Sequence, residues 1–422
     1  MFKTKKKPTL LIVMYVSAFK MRNIQKNLVD CYKDHLENCD IYYVNLFMSK
    51  ALSICAQYKW DYVIFHSSLL SLRFNRKRFT SLVDENSQWL IKLNARSKAV
   101  TVQDEFVHMD LVCDFINKYD VSHVFSVAPE QEFSNLYPTV DFSKVAFHRV
   151  LTGYIDYKTV SLVERRGKST EQRPFLIGYR VVSTPQWGSF NLKKREIADV
   201  FVSECSKRGY VHDIKIGEQH FLHGNSWVLH LTKCRATIGI EGGANILDWN
   251  GSFSEKIKAM LASGVAFDRD YLVEIESNIP KIDLKALSPR HLEACMTRTC
   301  QILVEGHYNG ILKPWVHYIP LKPDYSNLDE VFDALEDSEK IKKITDNAFN
   351  DIVRSRLYGY DVFAKFVIKS IEAFPLISGA NDQGVKLESS IPMLLSSRLF
   401  LSNLKSTLIA GGYHMLKLIN IR

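Results

Sequence analysis

Residues 288–331 read SPRHLEACMTRTCQILVEGHYNGILKPWVHYIPLKPDYSNLDEV, a stretch that predicts a helix, a buried strand, a loop and the start of a second helix. Ser288 suits an N-cap, and Pro289 suits the first helical position, where the missing backbone N–H would be unpaired in any case. A helix start offers free N–H groups and the positive end of the dipole, so Arg290 and His291 are unfavourable in its first turn unless an anion binds. A diphosphate would meet that requirement. Glu293 could then accept two hydrogen bonds from a ribose diol, although the same residues would also serve an ordinary capped surface helix. After Arg298 and Thr299, the run Cys300–Val304 has the continuous apolar character of a buried parallel strand. Glu305 and Gly306 follow it directly. Ligands of open α/β sheets sit beyond the carboxyl ends of strands, so this turn and the loop through Lys313, His317 and Tyr318 should border a cleft. Residues 324–329 should cap the next helix.

A chain of 422 residues is long for one core and suits two domains. The net charge of +9 is dispersed along the chain. It is compatible with anionic ligands or a membrane surface, whereas the motifs of nucleic-acid binding are missing. The eight cysteines lie far apart with no C-x-x-C, which argues against metal and disulfide frameworks and for a reducing, cytoplasmic compartment. The basic run from Lys3 to Lys7 precedes only a short apolar segment with no cleavage site, so a first strand is expected there and no signal peptide. No apolar run has the length of a membrane span.

Apolar runs rich in β-branched and aromatic residues recur at 9–16, 41–46, 62–66, 99–102, 123–127 and 145–147. Helical stretches such as 24–36 and 106–117 separate several of them. Strands alternating with helices predict a parallel, doubly wound sheet, placed here at 1–157. After its fourth strand come Gln103, Asp104, Glu105, Phe106, Val107 and His108. Asp104, Glu105 or His108 could deprotonate an acceptor hydroxyl there; alternatively, the acidic pair complements a helix dipole.

Residues 158–173 are polar, interrupted by Gly167, and suit a linker. A second domain is expected over 174–375. Its first strand, 175–179, ends in Arg180, and Lys193 and Lys194 open the following helix. The run 234–240 is another buried strand, ending in Glu241, Gly242, Gly243, Ala244 and Asn245, with Asp248 and Gly251 beyond. Paired glycines permit close backbone approach to a ligand, or mark a tight turn, but form neither a dinucleotide fingerprint nor a phosphate loop. Asp268, Arg269 and Asp270 spell a D-x-D triplet, too short a match to imply a metal. Apolar residues at helical spacing over 338–353 and 362–374 close the domain.

These features resemble GT-B glycosyltransferases, in particular the spore-maturation-protein-like group, where an R-x-x-E-A helix leads to a strand and a Glu-containing turn. The run from Pro314, PWVHYIPLKPDYSNLDEV, is similar to the PWxHYxPxxxDxSxL segment of CAP10-like protein O-glycosyltransferases. Residues 241–251 look like the EsGaSixDxdG run of bacterial members. The resemblance implies two Rossmann-like domains with parallel sheets facing a central cleft, and a last helix that crosses back to the first domain. It also implies a nucleoside-diphosphate sugar as donor, no metal, and transfer to a hydroxyl of a cell-surface glycan such as lipopolysaccharide or capsule. The donor candidates are Arg180, Lys194, Gly242, Gly243, Asp248, Arg290, Glu293, Thr299, Glu305, Lys313 and His317. Glu241 joins Asp104, Glu105 and His108 as a catalytic candidate.

The remaining segment, 376–422, is a basic, amphipathic tail. Its part from 391 onward has no acidic residue and could lie on an anionic membrane, where lipid-linked acceptors reside, at the inner face of the plasma membrane. It could equally dock on the body as helices. Two other functions fit alternating strands and helices. A nucleotide-binding oxidoreductase would need a G-x-G-x-x-G after the first strand, where MYVSAF stands instead, and a non-catalytic glycan-binding or scaffold protein would keep the fold without turnover.

Overall fold

The computed structural model describes residues 7–16, 23–48, 50–166, 169–265 and 269–373; the tail expected over 376–422 lies outside them. Two parallel sheets form, each with helices on both faces, the two-domain α/β layout that the alternation of strands and helices predicts. The first contains β1 (Thr9–Met14), β2 (Asp40–Asn45), β3 (Lys59–Phe65), β4 (Asn94–Thr101), β5 (His123–Ser126) and β6 (Ala146–Arg149) in the order β2-β1-β3-β4-β5-β6. The second contains β7 (Phe175–Val181), β8 (His212–Ile216), β9 (Cys234–Gly239), β10 (Cys300–Val304) and β11 (Ile319–Leu321) in the order β11-β10-β9-β7-β8. Strand order therefore reverses between β1 and β3 and again between β7 and β9. A crevice opens at such switch points, beyond the carboxyl ends of the strands.

The central strands are those with unbroken apolar runs. Leu10 through Val13 of β1 are fully buried, as is every residue of β10, because helices cover both faces of a parallel sheet. Two strands escape the sequence reading. In β8, HDIKI is a partly exposed edge strand whose polar residues hide its alternation. In β11, IPL is short and carries Pro320, tolerated at the sheet edge because the missing N–H removes no inner ladder bond. The segment expected as a linker begins as the helix Tyr157–Arg166. The helix expected from residue 106 starts at Met109, since Asp104 and His108 adopt left-handed backbone angles, both with φ of 53°.

The last described helix, Tyr360–Ala373, leaves the second sheet and packs on the first. Tyr360, Phe363, Ala364, Val367 and Ile371 share a core with Leu10, Ile12, Tyr32, Tyr62 and Phe125. A second seam joins the domains beside the cleft. Val107 forms a parallel bridge with Asp248, through His108 N–H to the Asp248 carbonyl (3.1 Å) and Asp248 N–H to the Phe106 carbonyl (2.8 Å). Trp187 of the second domain rests against Phe74 and Phe106 of the first, at ring distances of 6.0 and 5.6 Å.

Candidate functional site

A cavity of about 830 Å³ opens at the switch point between β7 and β9, with Tyr179, Trp187, Lys194, Trp227, Gly242 and Arg290 in its wall. Its roof is the start of the Pro289–Met296 helix. The Ser288 side chain caps that helix, and His291 completes a capping box, its Nδ1 accepting the Ser288 N–H at 3.1 Å. Burial pushes the His291 pKa down to about 3, with Arg290 adding to the effect. The imidazole is therefore neutral, and it fills a position usually held by Glu or Gln. Of the two residues in the first turn, Arg290 alone is a cation. Its Nη1 donates to the Arg180 carbonyl at 2.5 Å, and its guanidinium lies 5.0 Å over the Trp227 ring.

Trp227, on the helix Asn225–Leu231, links two of the sequence candidates. One face carries Arg290, and its indole N–H donates to Glu293 Oε2 at 2.8 Å. Burial raises the Glu293 pKa to about 7, against the lowering influence of Arg290 and the indole bond. Arg180 occupies a different place from the one expected. Its guanidinium is tied to the Asp213 carboxylate at 2.7 Å and to the Asp213 carbonyl, so its charge is already matched. What it offers the site is the carbonyl that fixes Arg290.

Lys194 stands on the 20-residue helix Ser189–Arg208 and reaches the cavity. It donates to a neutral group, Asn191 Oδ1, at 2.7 Å. Burial, followed by repulsion from Arg290, lowers its pKa to about 8, while Asp104 opposes the shift. The start of this same helix is closed to a ligand. Glu276, 1% exposed, accepts the Ser189 N–H and hydroxyl, each at 2.7 Å, and pairs with Lys281 at 3.0 Å. An internal carboxylate thus holds the place of an anion at that end. We expect Glu276→Ala to lower unfolding free energy by about 1–2 kcal/mol, the range for losing an N-terminal cap, measured by urea denaturation. An unchanged midpoint would show that Gly188 alone ends the helix well enough.

The glycine turn after β9 divides its work. Gly242 lines the cavity, while its backbone exchanges hydrogen bonds with Ala286 at 2.8 and 3.2 Å. Gly243 has φ of 93°, and a Cβ there would sit 1.9 Å from the Leu284 carbonyl oxygen. Its need for glycine is met by protein backbone. Glu241 is buried and accepts the Tyr308 N–H at 2.7 Å, fixing the loop after β10. Asp248 caps the helix Ser252–Ala262 through the N–H groups of Phe253 (3.1 Å) and Ser254 (2.7 Å) and holds the domain seam.

Eight donor candidates lie outside the cavity wall: Arg180, Gly243, Asp248 and Glu293, described above, and Thr299, Glu305, Lys313 and His317. Thr299 is at the amino-terminal end of β10, opposite the cleft, where it accepts from Arg173 and donates to the Leu231 carbonyl, both at 3.0 Å. The β10 sequence places Thr299 close to the helix in chain position but at the wrong end of the sheet. Glu305 does follow the carboxyl end of β10, yet it is exposed beyond the cavity wall. Lys313 N–H donates to His317 Nδ1 at 3.2 Å, and His317 Nε2 meets Asp351 at 3.1 Å, so this pair braces the loop before β11.

In the first domain the three acid–base candidates separate. Glu105 is 2% exposed and accepts from Ser126 Oγ (2.6 Å), the N–H groups of Val127 (2.9 Å) and Ala128 (3.2 Å), and the Tyr137 hydroxyl. Burial raises its pKa in spite of these donors. It is a core carboxylate out of reach of a substrate. His108, 1% exposed, is packed against Gly251 in the domain seam. Asp104 alone is exposed, at the carboxyl end of β4 and on the side of Lys194.

No protein-family model matches the chain, and no curated protein does. Among solved structures it is similar to Anabaena HepE in complex with UDP and glucose, at 8% identity over 87% of this chain and 100% of that one, with a TM-score of 0.47. It is also similar to the sucrose-phosphate synthase of Thermosynechococcus elongatus, at 9% identity over 87% and 98%, with a TM-score of 0.45. A further likeness is to the trehalose 6-phosphate synthase of Burkholderia multivorans, at 8% identity over 87% and 97%, with a TM-score of 0.38.

Sequence reasoning overlooked Trp227, Arg73 and Glu276. Trp227 sits in HGNSWVLH, whose aromatic residue looks like core until the fold sets it beside Arg290. Arg73 and Glu276 are single charged residues in ordinary polar surroundings, and only burial distinguishes them. Gln301 was read as part of an apolar strand. It is 1% exposed on the cavity floor, and its Oε1 lacks a hydrogen-bond partner among the described residues. No group of His, Cys, Asp and Glu among the described residues is arranged to hold a metal ion. Asp268 of the D-x-D triplet lies outside them. No described helix is long and apolar enough to cross a membrane.

Proposed function

We propose that this chain is a glycosyltransferase using a nucleoside-diphosphate sugar, with the donor on the domain over 174–375 and the acceptor on that over 1–157. One observation carries the reading. Lys194 and Arg290 face a common cavity at the start of the Pro289–Met296 helix, and both hydrogen-bond to neutral groups. Part-buried cations with no hydrogen-bonded carboxylate favour an anion, and the positive end of the helix dipole adds to the attraction. The pair suits a diphosphate, Glu293 a ribose diol, and Gly242 the close approach of backbone to the donor.

In the reaction the bond between the anomeric carbon and the diphosphate oxygen breaks, and the acceptor oxygen bonds to that carbon. Arg290, Lys194 and the positive end of the helix dipole would stabilise the charge that builds on the leaving diphosphate, a form of electrostatic catalysis that a basic site supplies by itself. Asp104 is the group assigned to take the acceptor proton. Glu241 acts at one remove, by holding the loop at Tyr308. The acceptor is assigned to a cell-surface glycan, carried on lipid at the cytoplasmic face of the membrane. The free cysteines among the described residues and the basic composition of 391–422 support that placement.

The test is a thermal-shift panel of UDP, GDP, CMP, ADP and NAD on the full chain. A ligand at 100 times its dissociation constant should add about 2.7 kcal/mol. A rise with one nucleoside diphosphate supports the transferase and names its donor class. A rise with NAD alone would favour the oxidoreductase, and no rise with any of them would favour a scaffold.

A further inference from the structure

We propose that Arg73 is a positioning residue, whose buried guanidinium sets the loop over 103–108 so that Asp104 is presented to the cleft on the side of Lys194. The consequence for catalysis rests on the nucleotide-sugar reading above; the placement itself does not.

Arg73 belongs to the short turn Ser71–Phe74 after β3 and is 0% exposed. Its Nε donates to the Val107 carbonyl at 3.0 Å, Nη1 to Leu70 at 3.2 Å, and Nη2 to Gln103 at 2.9 Å and Asp104 at 2.5 Å. All four of these hydrogen bonds from a buried cation therefore go to backbone carbonyls. Burying a charge is expensive, and the nearby Asp104 and Glu105 carboxyl groups offset only part of that cost without bonding to the guanidinium; for structure alone an apolar side chain would often serve as well.

The loop it grips explains why a rigid, forked donor stands there. Asp104 and His108 both have φ of 53°, a conformation that costs a non-glycine residue about 1–3 kcal/mol and persists only where its surroundings enforce it. Three of the four carbonyls held by Arg73 belong to residues 103–107, between those two positions or next to them. The turn has a clear result for its side chains. Glu105 goes into the core, Phe106 goes against Trp187 of the cavity wall, and Asp104 stays exposed on the cleft side. Val107 and His108 then pair with Asp248 and tie the loop to the donor domain. A lysine in place of Arg73 has one donor centre and cannot span the same four carbonyls.

The test reads the loop without needing an acceptor. Lys194 in the full chain is acylated with acetic anhydride across a range of pH, and labelling is quantified by peptide mass spectrometry in the parent, Asp104→Asn, Arg73→Lys and the double variant. Asp104 holds the Lys194 pKa up while Arg290 and burial hold it down. Withdrawing Asp104 should therefore speed labelling near pH 7 severalfold. The same acceleration is expected in Arg73→Lys, with the double variant no faster than Asp104→Asn alone. Arg73→Gln replaces Arg73→Lys if the latter does not melt cooperatively.

Parent-like labelling in folded Arg73→Lys would overturn the proposal, as would multiplying effects in the double variant or no effect of Asp104→Asn. The thermal shift of the parent with UDP or GDP is a separate readout, so failure of the nucleotide reading is told apart from failure of this one.

Discussion

In Arg290→Ala, the nucleoside diphosphate that stabilises the parent protein should no longer raise its melting temperature. The guanidinium is anchored at one nitrogen by the Arg180 carbonyl and at its face by Trp227, which leaves other N–H donors for the cavity. Hydrogen bonds to charged groups contribute about 1.5–3 kcal/mol each. Losing two such contacts, about 3–6 kcal/mol together, weakens binding by about 100-fold or more. A ligand supplied at 100 times the parent's dissociation constant then sits near or below that of the variant, and its stabilisation falls from about 2.7 kcal/mol to a few tenths. Arg195→Ala is the control, since Arg195 lies on the exposed face and pairs with Asp199. A full shift retained in Arg290→Ala would remove the diphosphate from this helix start.

The second large effect is on stability against pH. Glu293 has its folded pKa raised from 4.5 to about 7, chiefly by burial. A raised carboxyl pKa means that the folded chain binds more protons than the unfolded chain between those two values. Its favourable contribution is thus complete below about pH 4.5 and is lost as pH rises through about 7. The full span corresponds to about 3 kcal/mol. In Glu293→Gln the amide oxygen can still accept the Trp227 indole N–H, but nothing ionises. We expect the parent to lose more urea stability than this variant between pH 5 and pH 8, with the variant the more stable of the two at pH 8. Parallel pH profiles would show that the carboxyl is not held in the protonated form.

Glu293 and Glu276 show why the sequence supports some assignments better than others. Glu293 follows Ser288 and Pro289 at fixed helical spacing, so its place near a helix start was legible. Glu276 meets Ser189 across 87 residues of chain, and no local pattern announces such a meeting. The error at Thr299 has the same origin, because closeness along the chain does not say which end of a strand faces the cleft. The left-handed angles at Asp104 and His108 are a further case, as these residue types adopt them more readily than most but nothing in the local pattern requires them.

The amino-acid sequence by itself determined the alternation of strand and helix, the two-domain layout and the capped helix at Ser288, because these depend on side-chain period and on interactions within a few residues. It also carried the candidates Lys194, Arg290, Glu293 and Asp104. Tertiary structure decided which charges were already matched. Arg180 meets Asp213 and Asp248 serves the seam, whereas Lys194 and Arg290 hydrogen-bond to neutral groups. The physical reason is that the worth of a charge depends on burial and on partners brought from distant parts of the chain. Those become fixed only when the sheets and their helices pack.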